Sequence, residues 1–393
     1  MTARAGVKSH SATARIVGSA AAVGSIAWNA CANAGASGDP HPFTRYEFFQ
    51  ALEDSGSANA KAGWYPCHLV IERNSKIEGL MPLYFKTHSQ GEYVFDWSWA
   101  EAFERAGGTY YPKLQASVPF TPVTGRRLLM LHGAADDEGR NVLLRAGQGA
   151  VHELNASSLH ITFLTEQEWR VAAKLGFLQR TDQQFHWQNQ RYTNFEQFLE
   201  ELSSAKRKTL RKERAAVFAE GVSFDWLAGQ EITEGHWDQF FAFYQDTGGR
   251  KWGYPYLTRE FFSRVGQSMG EQVLLILAKR GGRYIAGALN FSGQGVLFGR
   301  NWGCTEFVPF LHFETCYYQA IEYAITHGFK RVEAGAQGEH KLLRGYLPVP
   351  TYSAHYIAHA GLRHALADYL ETERRAVAEN IDTLSGHGPY RRT

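Results

Sequence analysis

Residues 330–347 read KRVEAGAQGEHKLLRGYL, and the plan of the whole chain follows from how they fold. A short apolar strand, 331–334, runs into a turn bracketed by Gly335 and Gly338. Four polar residues of different chemistry, Gln337, Glu339, His340 and Lys341, crowd that turn. Arg344 lies three positions beyond Lys341 and shares its face if a helical turn forms. Gly345 is placed to end that turn. A strand feeding a glycine turn and a helix start brings N–H groups and side chains to one edge of a sheet. Ligands of open α/β sheets sit at that carboxyl edge, and a helix start favours anions. In this reading Glu339 or His340 takes a proton and Lys341 or Arg344 holds an anionic group. The plainer reading is a solvated corner whose glycines only serve the turn.

Upstream, 309–328 reads as a long helix with His312 and Glu314 near its start, both further catalytic candidates. Before it come three strands, 272–279, 283–291 and 296–302, with Gly281-Gly282 as a two-residue hairpin turn. Arg300 on the third is a candidate substrate ligand. Downstream lie a strand, 352–359, a helix, 362–378, and a loose tail, 379–393.

The same order recurs earlier: helix 138–155, strand 159–164, then helix 166–175 closed by Gly176. The chain therefore reads as two α/β halves, 15–180 and 181–378, after a disordered tail, 1–14. A groove between such halves is a natural ligand site. The first half opens with a helix, 42–54, and a hairpin, 68–73 with 77–85, joined at Asn74-Ser75-Lys76. Its segment 86–96, KTHSQGEYVFD, holds His88, Ser89, Glu92 and Asp96. A histidine beside carboxylates suits a base and its orienter, and equally a turn with a helix cap. The proline-rich run 110–122 borders a sheet or lines a cleft, because proline cannot donate to a ladder. Lys113 within it is an anion ligand or a solvated lysine. RAGQGA at 145–150 resembles a pyrophosphate loop, but lies in a helical pattern without the full spacing.

In the second half, 184–189 is a strand and 194–220 one long helix. Between Lys206 and Arg214 that helix carries six basic residues and one acid. Arg207, Arg211 and Arg214 fall on one stripe, where like charges repel and an anionic partner relieves them. Lys206, Arg207, Arg211 and Arg214 are therefore the nucleic-acid-binding candidates, with tRNA as first choice. A solvated helix face has the same pattern. Helices at 235–246 and 258–269 flank a Gly- and aromatic-rich loop, 247–257.

A length of 393 residues gives ample chain for two cores. Net charge is +2, so attraction to nucleic acid or membrane must come from a local patch. Aromatic content is 14%, and stretches such as YVFDWSWAEAF suggest a lined groove, or else aromatic-rich cores. Cys31, Cys67, Cys304 and Cys316 are scattered without a C-x-x-C, which fits a reducing compartment and gives no zinc site. The small-residue run 16–36 is too short and polar to span a bilayer and makes a weak leader. The expectation is a strand and a helix there, and a cytoplasmic protein.

The stretches HLVIERNSKIEGLMPLYFKTHSQGEYVFDWSW, AGGTYYPKLQASVPFTPVTGRRLL, KRKTLRKER and LHFETCYYQAIEYAI with EAGAQGEHKLLRGYLPVPTYSAH together resemble the bacterial FemAB-like group. That group is labelled peptidoglycan biosynthesis/recognition and sits in the GNAT acyltransferase superfamily. The resemblance runs from about Arg15 to about Arg375. It implies an α/β (α+β) fold of two tandem GNAT-like domains, each a mixed, mostly antiparallel sheet flanked by helices. It also implies transfer of an acyl or aminoacyl group to an amine of a cell-envelope precursor or other small metabolite. Fem transferases take aminoacyl groups from tRNA, whereas common GNATs use acetyl-CoA. The loop GCTEFVPF before helix 309–328 has one glycine and an acid, which departs from the CoA pattern. A non-catalytic module that recognises a peptidoglycan-type ligand is the other function this resemblance allows.

Overall fold

The computed structural model describes residues 12–35, 39–132, 137–252, 255–335 and 338–391. Among the described residues fifteen strands carry the fold. In the first half they are β1 (Thr13–Val17), β2 (Trp64–Pro66), β3 (His68–Arg73), β4 (Lys76–Met81), β5 (Tyr84–Lys86), β6 (Lys113–Ala116), β7 (Leu129–Met130) and β8 (Ser158–Leu164). Then come β9 (Leu178–Gln188), β10 (Val222–Ala228), β11 (Val273–Arg280), β12 (Arg283–Gly293), β13 (Val296–Cys304), β14 (Arg331–Glu333) and β15 (Leu347–Ile357). Turn chemistry places the hairpins as expected: Asn74 and Ser75, then Gly281 and Gly282, all take positive φ.

The fold is mixed α/β, with mostly antiparallel sheets flanked by helices as expected, but the sheets are not divided one to each half. The strands form a small sheet, β1-β3-β4-β7, and a large one, β10-β11-β12-β13-β14-β9-β15-β8-β6-β5-β2. Only β6 with β8 and β13 with β14 run parallel among the described strands. The order in the large sheet is not sequential at its centre. β9 follows β8 along the chain yet pairs with β14, and β15 follows β14 yet pairs with β8. β9 and β15 then pair with each other from Leu347↔His186 to His355↔Leu178. Each half is thus completed by the other's last strand, so the halves cannot separate without tearing backbone hydrogen bonds. The boundary read at 180 falls inside β9.

One apolar cluster crosses the halves, with Trp28, Phe43 and Phe49 meeting Trp237, Phe262 and Phe298. A second lies under helix Asp137–Glu153 and a third under helix Gln319–Thr326.

The structure corrects five expectations. The helix expected at 194–220 is two, Phe195–Glu201 and Ser204–Ala219. The break is where the C-terminus docks: Leu202 bridges Tyr390, and Ser203 N donates to Pro389 O. For the same reason 379–393 is not a loose tail. Helix Ala360–Gly386 runs through it, and Tyr390 then donates to Gly345 O at 2.7 Å. The loop at 247–257 is largely helix, since Glu234–Trp252 continues through Gly248 and Gly249. Gly248 lets Pro255 pack closely, as a Cβ there would lie 3.3 Å from the proline Cβ. Strand β10, where no strand is expected although VSFDWLA partly alternates, forms one edge of the large sheet. At the N-terminus β1 begins at Thr13, inside the tail expected to be disordered, and residues 1–11 lie outside the described ones.

Buried histidines set the acid stability. Burial holds His41, His160 and His186 down at about 3, so the native state refuses protons that the unfolded chain accepts near 6.5. A depressed folded pKa contributes stability that is present above the unfolded value and lost as pH falls. Below about pH 6.5 each histidine is expected to remove about 1.4 kcal/mol per pH unit while it titrates only in the unfolded chain. Glu92 and Glu333, raised to about 7 by burial, offset part of that loss until the unfolded carboxyls also protonate; the net stability falls toward pH 3. Urea unfolding at pH 7.5, 6, 5 and 4 measures this. A flat profile across that window would be the contrary result.

Candidate functional site

The two parallel pairs decide where a site can be. β6 and β8 pair from Leu114↔Leu159 to Ala116↔Ile161 and then part. The chain itself seals that opening. Gly125 N donates to Phe163 O, and buried Arg127 donates to Thr162 O, Gly125 O and Val123 O. Gln184 Nε2 reaches Pro122 O from β9 at 2.8 Å. In the second half, β13 and β14 pair from Val296↔Arg331 to Phe298↔Glu333 and part likewise. There the opening stays open. Two cavities, about 270 Å³ and about 100 Å³, share Arg300, Asn301, Trp302 and His312 as walls. Ala334, the first residue past β14, lines the smaller one.

The larger cavity lies between the halves. Its first-half wall is Gly91, Tyr93, Phe95 and Trp97, from the aromatic stretch that suggested a groove. Phe95 and Trp97 are exposed, with ring centroids 5.1 Å apart. Its second-half wall includes Tyr244, Tyr256 and Arg300. Tyr244 Oη accepts from Tyr256 N and Leu257 N, which fixes that wall. Tyr256 stacks on Phe120 at 4.8 Å and 10°. Tyr93 and Phe120 both hold left-handed φ, at 61° and 58°. Bulky residues in that region are strained, and such strain concentrates at functional sites.

Arg300 reaches the cleft because of a bulge. β12 and β13 pair Asn290↔Gly299 and then Leu289↔Asn301, leaving Arg300 as the extra residue. Bulges beside active sites re-aim a side chain in this way. Its Nη2 donates to Phe120 O at 2.5 Å. Among the described residues no carboxylate ion-pairs with it. Burial works against its charge, offset in part by Tyr93, Tyr244 and Glu333. An anion entering the cleft would complete that balance. Glu333, at the end of β14, is pushed up to about 7 by burial, and its Oε2 has no hydrogen-bond partner.

His312 stands where both cavities meet. Its ring packs on Trp302, with Nε2 3.3 Å from Tyr317 Oη and Nδ1 3.5 Å from Cys316 Sγ. Tyr317 Oη is in turn 2.9 Å from His340 Nε2. A chain of protonatable groups therefore runs from the cleft to exposed His340.

The stretch that opened the sequence folds as read, but most of its charges are committed. Gly335 and Gly338 take φ of 78° and 112°, helix Glu339–Arg344 is a 3-10 turn, and Gly345 caps it at 90°. Arg344 does not hold an external anion: it is buried, donates to both oxygens of Glu213 at 2.8 and 2.9 Å, and stacks 3.4 Å from the Phe313 ring centroid. Lys341 is buried too, donating to Gly335 O at 2.9 Å, and burial lowers it to about 7. Glu339 is exposed and lines neither cavity. Gln337 lies outside the described residues. Glu314 is an interior partner and not a base, held by Arg214 at 2.9 Å and Gln319 at 2.8 Å.

The first-half candidates Glu92 and Lys113 are brought together, but neither lines the cleft. Lys113 is fully buried and donates to Ser89 (2.7 Å), Glu92 (2.7 Å) and Asp96 (2.5 Å). It is neither solvated nor open to a ligand, and Glu92 shares its enclosure, pushed up to about 7 by burial. His88 closes its own turn, accepting from Gln90 N, and reaches the backbone of Ala62. The basic stripe is also redrawn. Arg214 turns inward to Glu314 and Glu322, Arg211 pairs with Glu196, and Lys206 and Arg207 are half-buried. Lys208, Arg211 and Lys212 form the exposed basic face. Tyr93, Tyr244, Tyr256 and Tyr317 were missed. The aromatic-rich runs around Tyr93 and Tyr256 carried a local signal; Tyr244 and Tyr317 look like ordinary helix residues.

The loop between β13 and the helix that bears His312 bears on a CoA donor. Its residues 305–310 include no glycine. Glu306 is tied to Arg280 and Arg283, and Phe307 is 90% exposed. A pyrophosphate cradle wants close backbone N–H groups, and this loop does not fit one.

No helix among the described residues is long and apolar enough to cross a membrane. Compared with known proteins, residues 19–392 match the model of the FemAB-like family, described as peptidoglycan biosynthesis/recognition. No curated protein matches the sequence. Among solved structures, FemX is 12% identical with a TM-score of 0.54, covering 87% of this chain and 98% of that one. L-PGS from Bacillus licheniformis is 10% identical with a TM-score of 0.51, covering 84% and 98%. At such identities the likeness is one of fold.

Proposed function

The chain belongs to the FemAB-like family, and from that premise we propose that it is a transferase moving an activated aminoacyl or acyl group onto an amine. The observation that supports this most is the open end of the β13–β14 pair, with Arg300 aimed in by a bulge and His312 at the junction of both cavities. Transfer to an amine needs a proton taken from the nucleophile and a place for charge. His312 supplies the base, with Tyr317 and His340 as its path to solvent. Arg300 holds a carboxylate or phosphate of the acceptor, which suits a peptidoglycan precursor or another anionic small molecule. Phe95 and Trp97 offer flat apolar faces at the rim.

The donor in this reading is an aminoacyl ester of tRNA in preference to acyl-CoA, since residues 305–310 lack the cradle that a pyrophosphate uses. That reading places the work in the cytoplasm. The test supplies purified protein with labelled aminoacyl-tRNA or labelled acyl-CoA, together with a small-molecule cell extract. Label is expected in an amide product from the tRNA donor. Label from acyl-CoA alone reverses the donor choice. Ligand retention without turnover from either donor favours the recognition module.

The exposed basic face gives a separate expectation. Replacing Lys208, Arg211 and Lys212 by Gln should weaken tRNA binding and lower the log–log salt slope by about 3. Filter binding across salt concentrations reads it. Arg214→Gln should instead destabilise the protein, because it strips the buried Glu314 of its cation. An unchanged salt slope in the triple variant would remove this face from donor binding.

A further inference from the structure

The helix that carries His312 is distorted at the site. Leu311–Phe313 is α-helical, Glu314–Tyr318 is one π-turn, and Gln319–Thr326 is α-helical again. In a regular helix, residues four apart are neighbours and residues five apart diverge. The wide turn brings both kinds to His312: Cys316 at i+4 and Tyr317 at i+5. Such π-turns are uncommon and concentrate at functional sites. Here the distortion has a visible result, a thiol, an imidazole and a phenol in one row. Cys316, Tyr317 and His312 line the smaller cavity together with Arg300.

The row admits an order of protons that leaves His312 Nδ1 as the acceptor. With Nε2–H donated to Tyr317 Oη and the phenol donating to His340, Nδ1 is left as the acceptor facing Cys316 Sγ. Both ring nitrogens are then engaged within the protein, so the nearest group that His312 can activate is the thiol. A thiol beside an imidazole in a cleft is the arrangement of nucleophilic catalysis.

We infer that Cys316 is a nucleophile that carries the transferred group as a thioester between donor and acceptor, with His312 as its base. The inference rests on the transfer reading above and specifies its route. Sγ attacks the donor's carbonyl carbon as its proton passes to Nδ1. The C–S bond forms, the ester C–O bond breaks, and the departing hydroxyl takes the proton back from the imidazolium. The amine then attacks the thioester, the C–N bond forms and the C–S bond breaks. The amine's proton returns through His312 to sulfur. Ester and amine become alcohol and amide, and the thiol is regenerated.

The test is a rapid acid quench of wild-type protein with labelled aminoacyl-tRNA, followed by intact and peptide mass measurement. The expected result is an aminoacyl mass on the Cys316 peptide that forms and decays as fast as product appears. It should be absent from Cys316→Ala and His312→Gln, and Cys316→Ser should retain the group longer as an oxygen ester. Iodoacetamide labelling gives a readout that needs no donor. Cys316 should react faster than Cys304, also half-buried, and that advantage should vanish in His312→Gln. Product formation at the wild-type rate by Cys316→Ala, with no adduct in wild type, overturns the covalent route and leaves the transfer reading intact. Absence of transfer by wild type from any donor instead removes the transfer reading. In that case Cys316 labelling no faster than Cys304 overturns the nucleophile as well.

Discussion

Replacing His312 with glutamine is expected to lower transfer by about 10²- to 10⁴-fold, the usual worth of a positioned acid–base group. The substitution is chosen to separate chemistry from folding. His312 is half-buried against Trp302, and its partners are Tyr317 Oη and Cys316 Sγ. Glutamine is of similar reach and can keep a polar contact to Tyr317, but it cannot cycle a proton. The melting temperature should therefore stay near that of wild type. The loss should lie in kcat and not in KM if, as proposed, Arg300 and not the imidazole holds the acceptor's anion. Arg300→Gln should show the opposite split, a raised KM with kcat less affected. Steady-state kinetics of both variants with circular dichroism melts decides it. A His312→Gln enzyme within threefold of wild type would take the imidazole out of the mechanism.

Glu213→Ala is expected to cost about 3–5 kcal/mol, the penalty for leaving a buried charge without its partner. Glu213 is the one acid in the basic run of helix Ser204–Ala219, and it is buried there. It accepts both hydrogen bonds from Arg344 and one from the hydroxyl of Tyr318. Removing it strands a guanidinium that is 4% exposed. Because the penalty belongs to the stranded charge, removing both charges should recover most of it. The double variant Glu213→Ala with Arg344→Met is thus expected to be more stable than Glu213→Ala alone. Urea unfolding of both variants provides the comparison. If Glu213→Ala unfolds like wild type while substrate affinity falls, Arg344 is a ligand and its pairing is incidental.

These two residues mark what could and could not be read from the chain. The sequence by itself determined features whose causes lie within a few residues. Glycines at 335, 338 and 345 could only serve a left-handed turn, and they do. Gly281-Gly282 made a hairpin for the same reason. The run YVFDWSW allowed a lined groove or an aromatic core, and its rings divide between the two: Tyr93, Phe95 and Trp97 line the cleft and Trp99 is buried. The tertiary structure alone decided everything that depends on distant partners. Arg344 and Lys341 had the chemistry of anion ligands, but a glutamate 131 positions away neutralises the first, and burial encloses the second. Arg214 left its basic stripe for a glutamate 100 positions away. The exchange of β9 and β15, the sealing of one strand opening by Arg127, and the opening of the other at Arg300 are likewise long-range outcomes. Local sequence sets backbone conformation, since sterics and turn chemistry act between neighbours. Whether a charge faces solvent, a partner or a cleft is set by what the fold packs against it.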